Sequence, residues 1–336
     1  MEHQRRPRYP GTNPRRFEHK YKELDPVQHP ETIAKVLASG KTPAGSHVPI
    51  MVAEVLDVLR PQPGDLAVDC TLGYGGHAQA ILEKITPNGH LLALDVDALE
   101  LPRTEERLRA AGFASDQLTI TKSNFAGLPA ALASLGKSGA DLILVDLGVS
   151  SMQLDNPERG FSTKTEGPLD MRMNSSRGIS AAQFLEKVSP DKLRAILTEN
   201  SDEPHANHLA PTLAGKSFAT TAHLAAYLRR KLPSIGEDER DLCVRRVFQA
   251  LRIEVNEEFT ALDTLLRVLP QCLSPGGRVA IITFHSGEDR RVKKAFQSAH
   301  SEGLYQEIAR RVIRATPGER HNNPRSTAAK LRWAIR

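Results

Sequence analysis

One stretch limits the fold more than any other. In LAVDCTLGYGGHAQAILEKITPNGHLLALD, residues 66–95, a short apolar run ends in an aspartate and a glycine-rich turn follows. A helical pattern comes next, and then a second apolar run that also ends in an aspartate. The same rhythm continues through ALELPRTEERLRAA, QLTITKSN, AGLPAALASL and DLILVDLG. The strand-like runs are apolar throughout rather than alternating, as in parallel strands buried on both faces. Alternating β and α segments of this kind predict a doubly wound α/β sheet of the Rossmann-like type. Pro102 then has to sit in the first turn of its helix, where its missing N–H is tolerated.

After Asp146 the rhythm breaks. A Pro-, Gly- and Asp-rich loop leads into helical stretches such as SAAQFLEKV and PDKLRAILTEN. We therefore expect a helical, substrate-recognising subdomain at residues 152–236, inserted into a main domain made of residues 46–151 and 237–336. One long helix is expected from Glu237 to near Leu269, a candidate surface for a homodimer. PGGRVAIITFHS then resumes the sheet, and STAAKLRWAIR adds a last strand. Residues 1–45 are rich in Pro, Arg, His and Gly, which predicts a basic, largely disordered extension with one short helix at PETIAKVLAS.

The net charge of +5 conceals a polarity. Met1–Lys22 carries seven Lys/Arg against two Asp/Glu, and His285–Arg336 carries twelve against five. The segment between them holds 26 basic and 33 acidic residues. Basic ends suit a protein that grips a polyanion, although the same charge serves solubility. No apolar run approaches the ~18 residues of a membrane span, and the N-terminus lacks an apolar signal core. Three cysteines, Cys70, Cys243 and Cys272, are too few and too scattered for a disulfide framework or a zinc knuckle. The expectation is a reducing, cytoplasmic setting with no metal site and no membrane.

The chemistry concentrates at strand ends. Gly73, Gly75 and Gly76 permit a tight turn and close backbone approach to a ligand. Their spacing also fits a dinucleotide fingerprint, because Ala78 is tolerated at the third glycine position. Asp95, 22 residues after Gly73, is placed to accept hydrogen bonds from both ribose hydroxyls. Asp69, just before the turn, would repel a pyrophosphate but welcome a ligand's ammonium group. Together they suit S-adenosylmethionine, a cationic adenosine ligand without phosphates. Each aspartate also has an ordinary reading as a cap or turn former. Phe125, after the third strand, packs near an adenine or simply in the core. Asp146 ends the fourth strand, where it faces both ligand and reaction partner.

Six segments in order carry a resemblance: HVPIMVAEVL, TLGYGGHAQAIL, LALDVDALEL, DLILVDLGVSSMQLDNPERGFSTKTEGPLDMRM, RRVFQALRIEVNEE and GGRVAIITFHSGEDRRVKKAF. The chain resembles the RsmH (MraW) family of bacterial small-subunit rRNA cytosine-N4 methyltransferases, from His47 to about Phe296 and again at NPRSTAAKLR. It departs from that family's usual residues at Tyr74, Val96 and Gly287. The resemblance implies a class I S-adenosylmethionine-dependent methyltransferase fold with an inserted helical subdomain. It implies 16S rRNA of the small ribosomal subunit as partner and a decoding-centre cytidine as substrate. The cofactor contacts carried over are Gly75, Gly76, His77, Asp95, Phe125, Asp146 and Gln153.

A cytosine N4 amine is a weak nucleophile whose proton must finally be accepted by a base, and Asp146 is the first candidate. His285 and Ser286 are expected beside the target base, with Arg290 and Arg291 on phosphates. Ser286 also reads as the cap of the following helix. The loop holding Asn156, Arg159, Phe161 and Ser162 is a candidate flap, with Phe161 stacking on the cytosine. Arg245, Arg246 and Arg252 pair with acidic neighbours or contact RNA. Two other classes compete: a nicotinamide-dependent oxidoreductase, and a non-catalytic RNA-binding assembly factor on the same fold.

Overall fold

The computed structural model describes residues 49–336. The basic N-terminal extension and the short helix expected within it lie outside the described residues. The chain begins with α1 (Val52–Leu59) and then alternates: β1 (Leu66–Asp69), α2 (Gly76–Ile85), β2 (His90–Asp95), α3 (Leu101–Ala110), β3 (Leu118–Lys122), α4 (Leu128–Ser134) and β4 (Ala140–Asp146). Pro102 does fall in the first turn of α3. Short α5 (Ser151–Asp155) opens the irregular region, followed by α6 (Ala181–Lys187), α7 (Pro190–Ser201), α8 (Ala206–Leu213) and α9 (Thr221–Lys231). Two helices, α10 (Glu237–Val255) and α11 (Glu258–Cys272), lead into β5 (Leu273–Thr283). The chain ends with α12 (Ser286–Ser301), β6 (Glu307–Ile308), α13 (Pro317–Asn322) and β7 (Lys330–Ile335).

The seven strands lie in the order β3-β2-β1-β4-β5-β7-β6. Strands β1 to β5 are parallel, and β7 enters antiparallel between β5 and β6. Residues such as Leu91–Leu94 and Ile143–Val145 are wholly buried, because helices cover both faces of the sheet. On one face α1, α2 and α3 pack Val55, Ile81, Leu82 and Leu108 against the strands. On the other, α4, α11 and α12 contribute Leu128, Leu132, Leu265 and Val292. This is the sheet that the resemblance to class I methyltransferases implies. Its order reverses between β1 and β4, and in such sheets the ligand crevice opens at the carboxyl ends beside that switch. Among the described residues no helix is long and apolar enough to cross a membrane.

A third apolar core is built from residues 161–251, and it includes α10 through Cys243, Val244, Val247, Phe248 and Leu251. The division expected at residue 236 therefore does not coincide with the packing: α10 closes the helical core rather than starting the return to the sheet. The single long helix expected to Leu269 is two helices. Glu257 takes a left-handed conformation, φ 51°, at the break. The Asn256 amide accepts from Met173 N–H (2.7 Å) and donates to the Met171 carbonyl (2.7 Å), so the break ties the loop after β4 to the α10–α11 corner.

Candidate active site

The carboxyl ends of the central strands open on a cavity of about 460 Å³. Its floor is the glycine turn after β1. Gly73 (φ 48°) and Gly75 (φ 83°) take left-handed conformations that side chains rarely adopt. A Cβ at Gly75 would stand 2.9 Å from Thr104 Cγ2, and one at Gly76 2.6 Å from Pro49 Cγ. From α3, Thr104 Oγ1 donates to the Gly73 carbonyl (2.7 Å) and Arg107 donates to the Tyr74 carbonyl (2.6 Å) while lying over the Tyr74 ring. The turn is thus pressed between α1 and α3, and glycine is what fits.

Asp95 faces this turn from the end of β2. Its carboxylate accepts from Gly73 N–H (2.7 Å) and Asp97 N–H (2.9 Å), one bond to each oxygen. Each oxygen keeps acceptor capacity toward the cavity. Burial pushes the Asp95 carboxyl above the usual carboxylate range, and the two N–H groups oppose that shift.

Asp146 ends β4 and lines the same cavity. Its backbone N–H donates to Thr71 Oγ1 (2.7 Å), and its Oδ1 is buried with no hydrogen-bond partner among the described residues. Buried polar atoms are rarely left unpaired without a functional reason. Burial, then the charges of Asp69 and Glu288, push the Asp146 carboxyl up to about 8. His77, in the first turn of α2, is neutral, because burial pushes it down to about 4. Its Nε2 donates to the Ile50 carbonyl (2.9 Å), which leaves Nδ1 as a bare acceptor 3.7 Å from Asp146 Oδ2.

Of the residues singled out in the sequence, Gly73, Gly75, Gly76, His77, Asp95, Phe125, Asp146 and Gln153 all line the cavity. Asp69 does not. It lies beneath the turn, accepts from Thr71 N–H (3.0 Å), and is pushed up to about 7 by burial. Gln153 is held on both sides: its Nε2 donates to Asp97 (2.9 Å) and its Oε1 accepts from Ser150 N–H (3.0 Å).

The RNA-side expectations need correction. Arg159 is buried, paired with Asp97 at 2.7 Å, and donates to the Arg172 and Met173 carbonyls. It is a buried structural tie that joins the loop after β4 to the residues following β2. Phe161 is packed in the helical core instead of stacking over the cavity. Ser286 is not the cap of α12, a position held by His285. Ser286 Oγ and Arg290 both reach Asp202, at 3.3 and 3.0 Å, which joins α12 to the end of α7. Arg291 lies over the Phe259 ring at 3.6 Å and beside Asp263. His285 stands behind the cavity wall, with Nε2 3.1 Å from Glu288, and it is Glu288, one helical turn on, that lines the cavity. Arg245 and Arg246 behave as a solvated face, bonded to the Asp241 carbonyl and Glu239. Arg252 lines the cavity, clamped by Glu258 at 2.8 and 2.9 Å.

Sequence reasoning missed Asp97, Glu288, Glu258 and Arg325. Asp97 was visible as the second aspartate of LDVD, and Glu288 as the residue three past a cap position, where carboxylates commonly turn back. Glu288 accepts from Phe284 N–H (2.8 Å), and its hydrogen bond with His285 and the Arg252 guanidinium hold its carboxyl below the usual range despite burial.

The profile of the MraW methylase family matches residues 44–336. Ribosomal RNA small subunit methyltransferase H 2 of Alkaliphilus metalliredigens is 48% identical, over 99% of this chain and 97% of its own length. Ribosomal RNA small subunit methyltransferase H 1 of Agathobacter rectalis is 46% identical, over 100% of this chain and 98% of its own. With the glycine turn, the paired strand-end carboxylates and this end-to-end likeness in hand, the chain belongs to the MraW methylase family.

Proposed function

We propose that the chain transfers a methyl group from S-adenosylmethionine to N4 of a cytidine in the decoding centre of 16S rRNA. The relatives' names, which specify small-subunit ribosomal RNA, support an rRNA substrate. The observation that carries the amine as acceptor is the unpartnered Asp146 Oδ1, which shares one cavity with Asp95.

The residues present fit the cofactor. Gly75 and Gly76 leave no room for a Cβ, and Asp95 keeps free acceptor capacity for ribose hydroxyls. Asp95, Asp146 and Glu288, which all line the cavity, make it a better fit for a cation than for a pyrophosphate. When bound, S-adenosylmethionine supplies an activated methyl group on a sulfonium. Asp146 Oδ1 would accept a hydrogen bond from the exocyclic amine, favouring a pyramidal nitrogen with its lone pair free, and would take the proton as the N–C bond forms and the methyl–sulfur bond breaks. The Thr71 hydroxyl anchors Asp146 through its backbone, and the turn below fixes the donor side, so that both reactants are held in line. Methylation at ring carbon would require a thiolate. Cys70 reaches the cavity, but burial and the Asp69 charge hold its thiol well above the usual range. Cys243 and Cys272 are buried as well.

This chemistry carries a pH signature. A base held up to about 8 is ionised only in part at neutral pH. With tritiated donor and small subunits, label in N4-methylcytidine should rise about tenfold per pH unit below about pH 8 and level off above it. A flat profile, or label in C5-methylcytidine, would contradict the proposal.

A further inference from the structure

The basic C-terminal region is not accounted for by the cavity. Between β6 and β7 the chain climbs the outer edge of the sheet, and its register can be followed. Ile308 lies opposite Ala334, which lies opposite Val279 low on β5. Five residues later Ile313 bridges Leu331, which lies opposite Ile282, and Ile282 lies opposite Asp146. Ile313 is therefore level with Asp146, three strand spacings away, or roughly 14 Å across the sheet. The chain then runs through α13, and Asn323 and Arg325 line the cavity.

Along this path Arg310, Arg311, Arg314 and Arg320 are exposed. Among the described residues none of the four has an acidic partner, a state shared with scattered arginines such as Arg177 and Arg267, but here the four lie along one path. At the lower end a second cavity of about 390 Å³ is lined by Lys293, Gln297, His300 and Arg310, with Glu307 its only carboxylate. Charged side chains on a sheet edge also discourage strand pairing. That role requires neither an unpaired series nor one that leads into the catalytic cavity.

We propose that Arg310, Arg311, Arg314 and Arg320 form a track for the sugar-phosphate backbone of the single-stranded rRNA segment adjoining the target nucleotide. The inference rests on the rRNA reading above. Phosphate contacts of this type position the substrate and carry no sequence information.

The test is the salt dependence of binding to a mixed-sequence single-stranded RNA oligomer, which isolates backbone contact. Arg310→Gln, Arg311→Gln and Arg314→Gln combined should lower the slope of log affinity against log salt by about 2, at ~0.7 per lost contact. The affinity ratio of wild type to variant should then shrink roughly 15-fold between about 50 and 200 mM salt. KM for small subunits should rise, while the Kd for S-adenosylmethionine, which reports an intact fold, stays the same. Should the triple variant misfold, each single substitution should still lower the slope by ~0.7. Removing the same charge at Arg103, Arg194 and Arg229 should leave the slope within one unit of wild type. An unchanged slope in the track variant, or an equal fall in the control, would overturn the track alone. Wild type that binds no RNA would overturn the substrate reading beneath it.

Discussion

Asp146→Asn is expected to lower the rate of methyl transfer by about 10²–10⁴-fold, the range supplied by a positioned base. The amide keeps the shape of the carboxyl and its place above the Thr71 hydroxyl, but it cannot take the proton of the attacking amine. The fold should not suffer. Because the carboxyl is pushed up to about 8, it is largely protonated in the native state at neutral pH. A raised carboxyl makes the folded state the better proton binder, so its stabilising contribution is complete below about pH 4. It is lost progressively as pH rises toward about 8. Asn is indifferent to that change. The variant should therefore melt close to wild type in mild acid and above it near pH 8, with kcat rather than KM carrying the loss. Near-normal turnover in the variant would remove Asp146 from the chemistry. A fall in melting temperature at pH 8 would contradict the assigned proton state.

The second large effect is on stability. Arg159 reaches Asp97 at 2.7 Å, and both side chains are almost fully buried. Arg159→Ala would leave the Asp97 carboxylate buried with Gln153 and the Leu99 N–H as its remaining partners, and would strip the Arg172 and Met173 carbonyls of their donor. Breaking a buried pair by removing one partner typically costs about 3–5 kcal/mol. The expected result is a fall in melting temperature of roughly 4–8 °C. Arg159→Lys, with its charge kept and its fork lost, should fall between. A shift under about 1 kcal/mol would mean that the loop after β4 stands without this tie. Because Asp97 lies two residues past Asp95, the variant should also weaken binding of S-adenosylmethionine, although Arg159 does not line the cavity.

How legible the site was depended on where its information is stored. The cofactor half is local. Each strand ends in its own functional residue, so Gly73, Asp95 and Asp146 could be placed by reading one βα unit at a time. The succession of strands and helices followed from the same rhythm, down to the final strand at Lys330–Ile335. The substrate half is stored across the chain. Arg159 pairs with a residue 62 positions earlier, and Phe161 packs in a core completed near Leu251. Neither contact leaves a periodic trace. His285 and Glu288 differ by one helical turn, a distinction decided by which residue caps α12. The helix break at Glu257 has no Gly or Pro to announce it. It is fixed by Asn256 bonding to Met171 and Met173, more than eighty residues away. In each case a polar side chain with an ordinary local reading was recruited by a distant backbone.

The central claim, methylation of one cytidine by a cavity that pairs a cationic donor with Asp146, is tested most directly by mapping modified nucleotides. Small-subunit rRNA from cells that carry the protein, lack it, or carry only the Asp146→Asn form should be compared position by position. One N4-methylated cytidine in the decoding centre is expected, present with the wild-type protein and absent in both other cases. The same modification in all three, or a methyl group appearing on another atom or in another region of the rRNA, would contradict it.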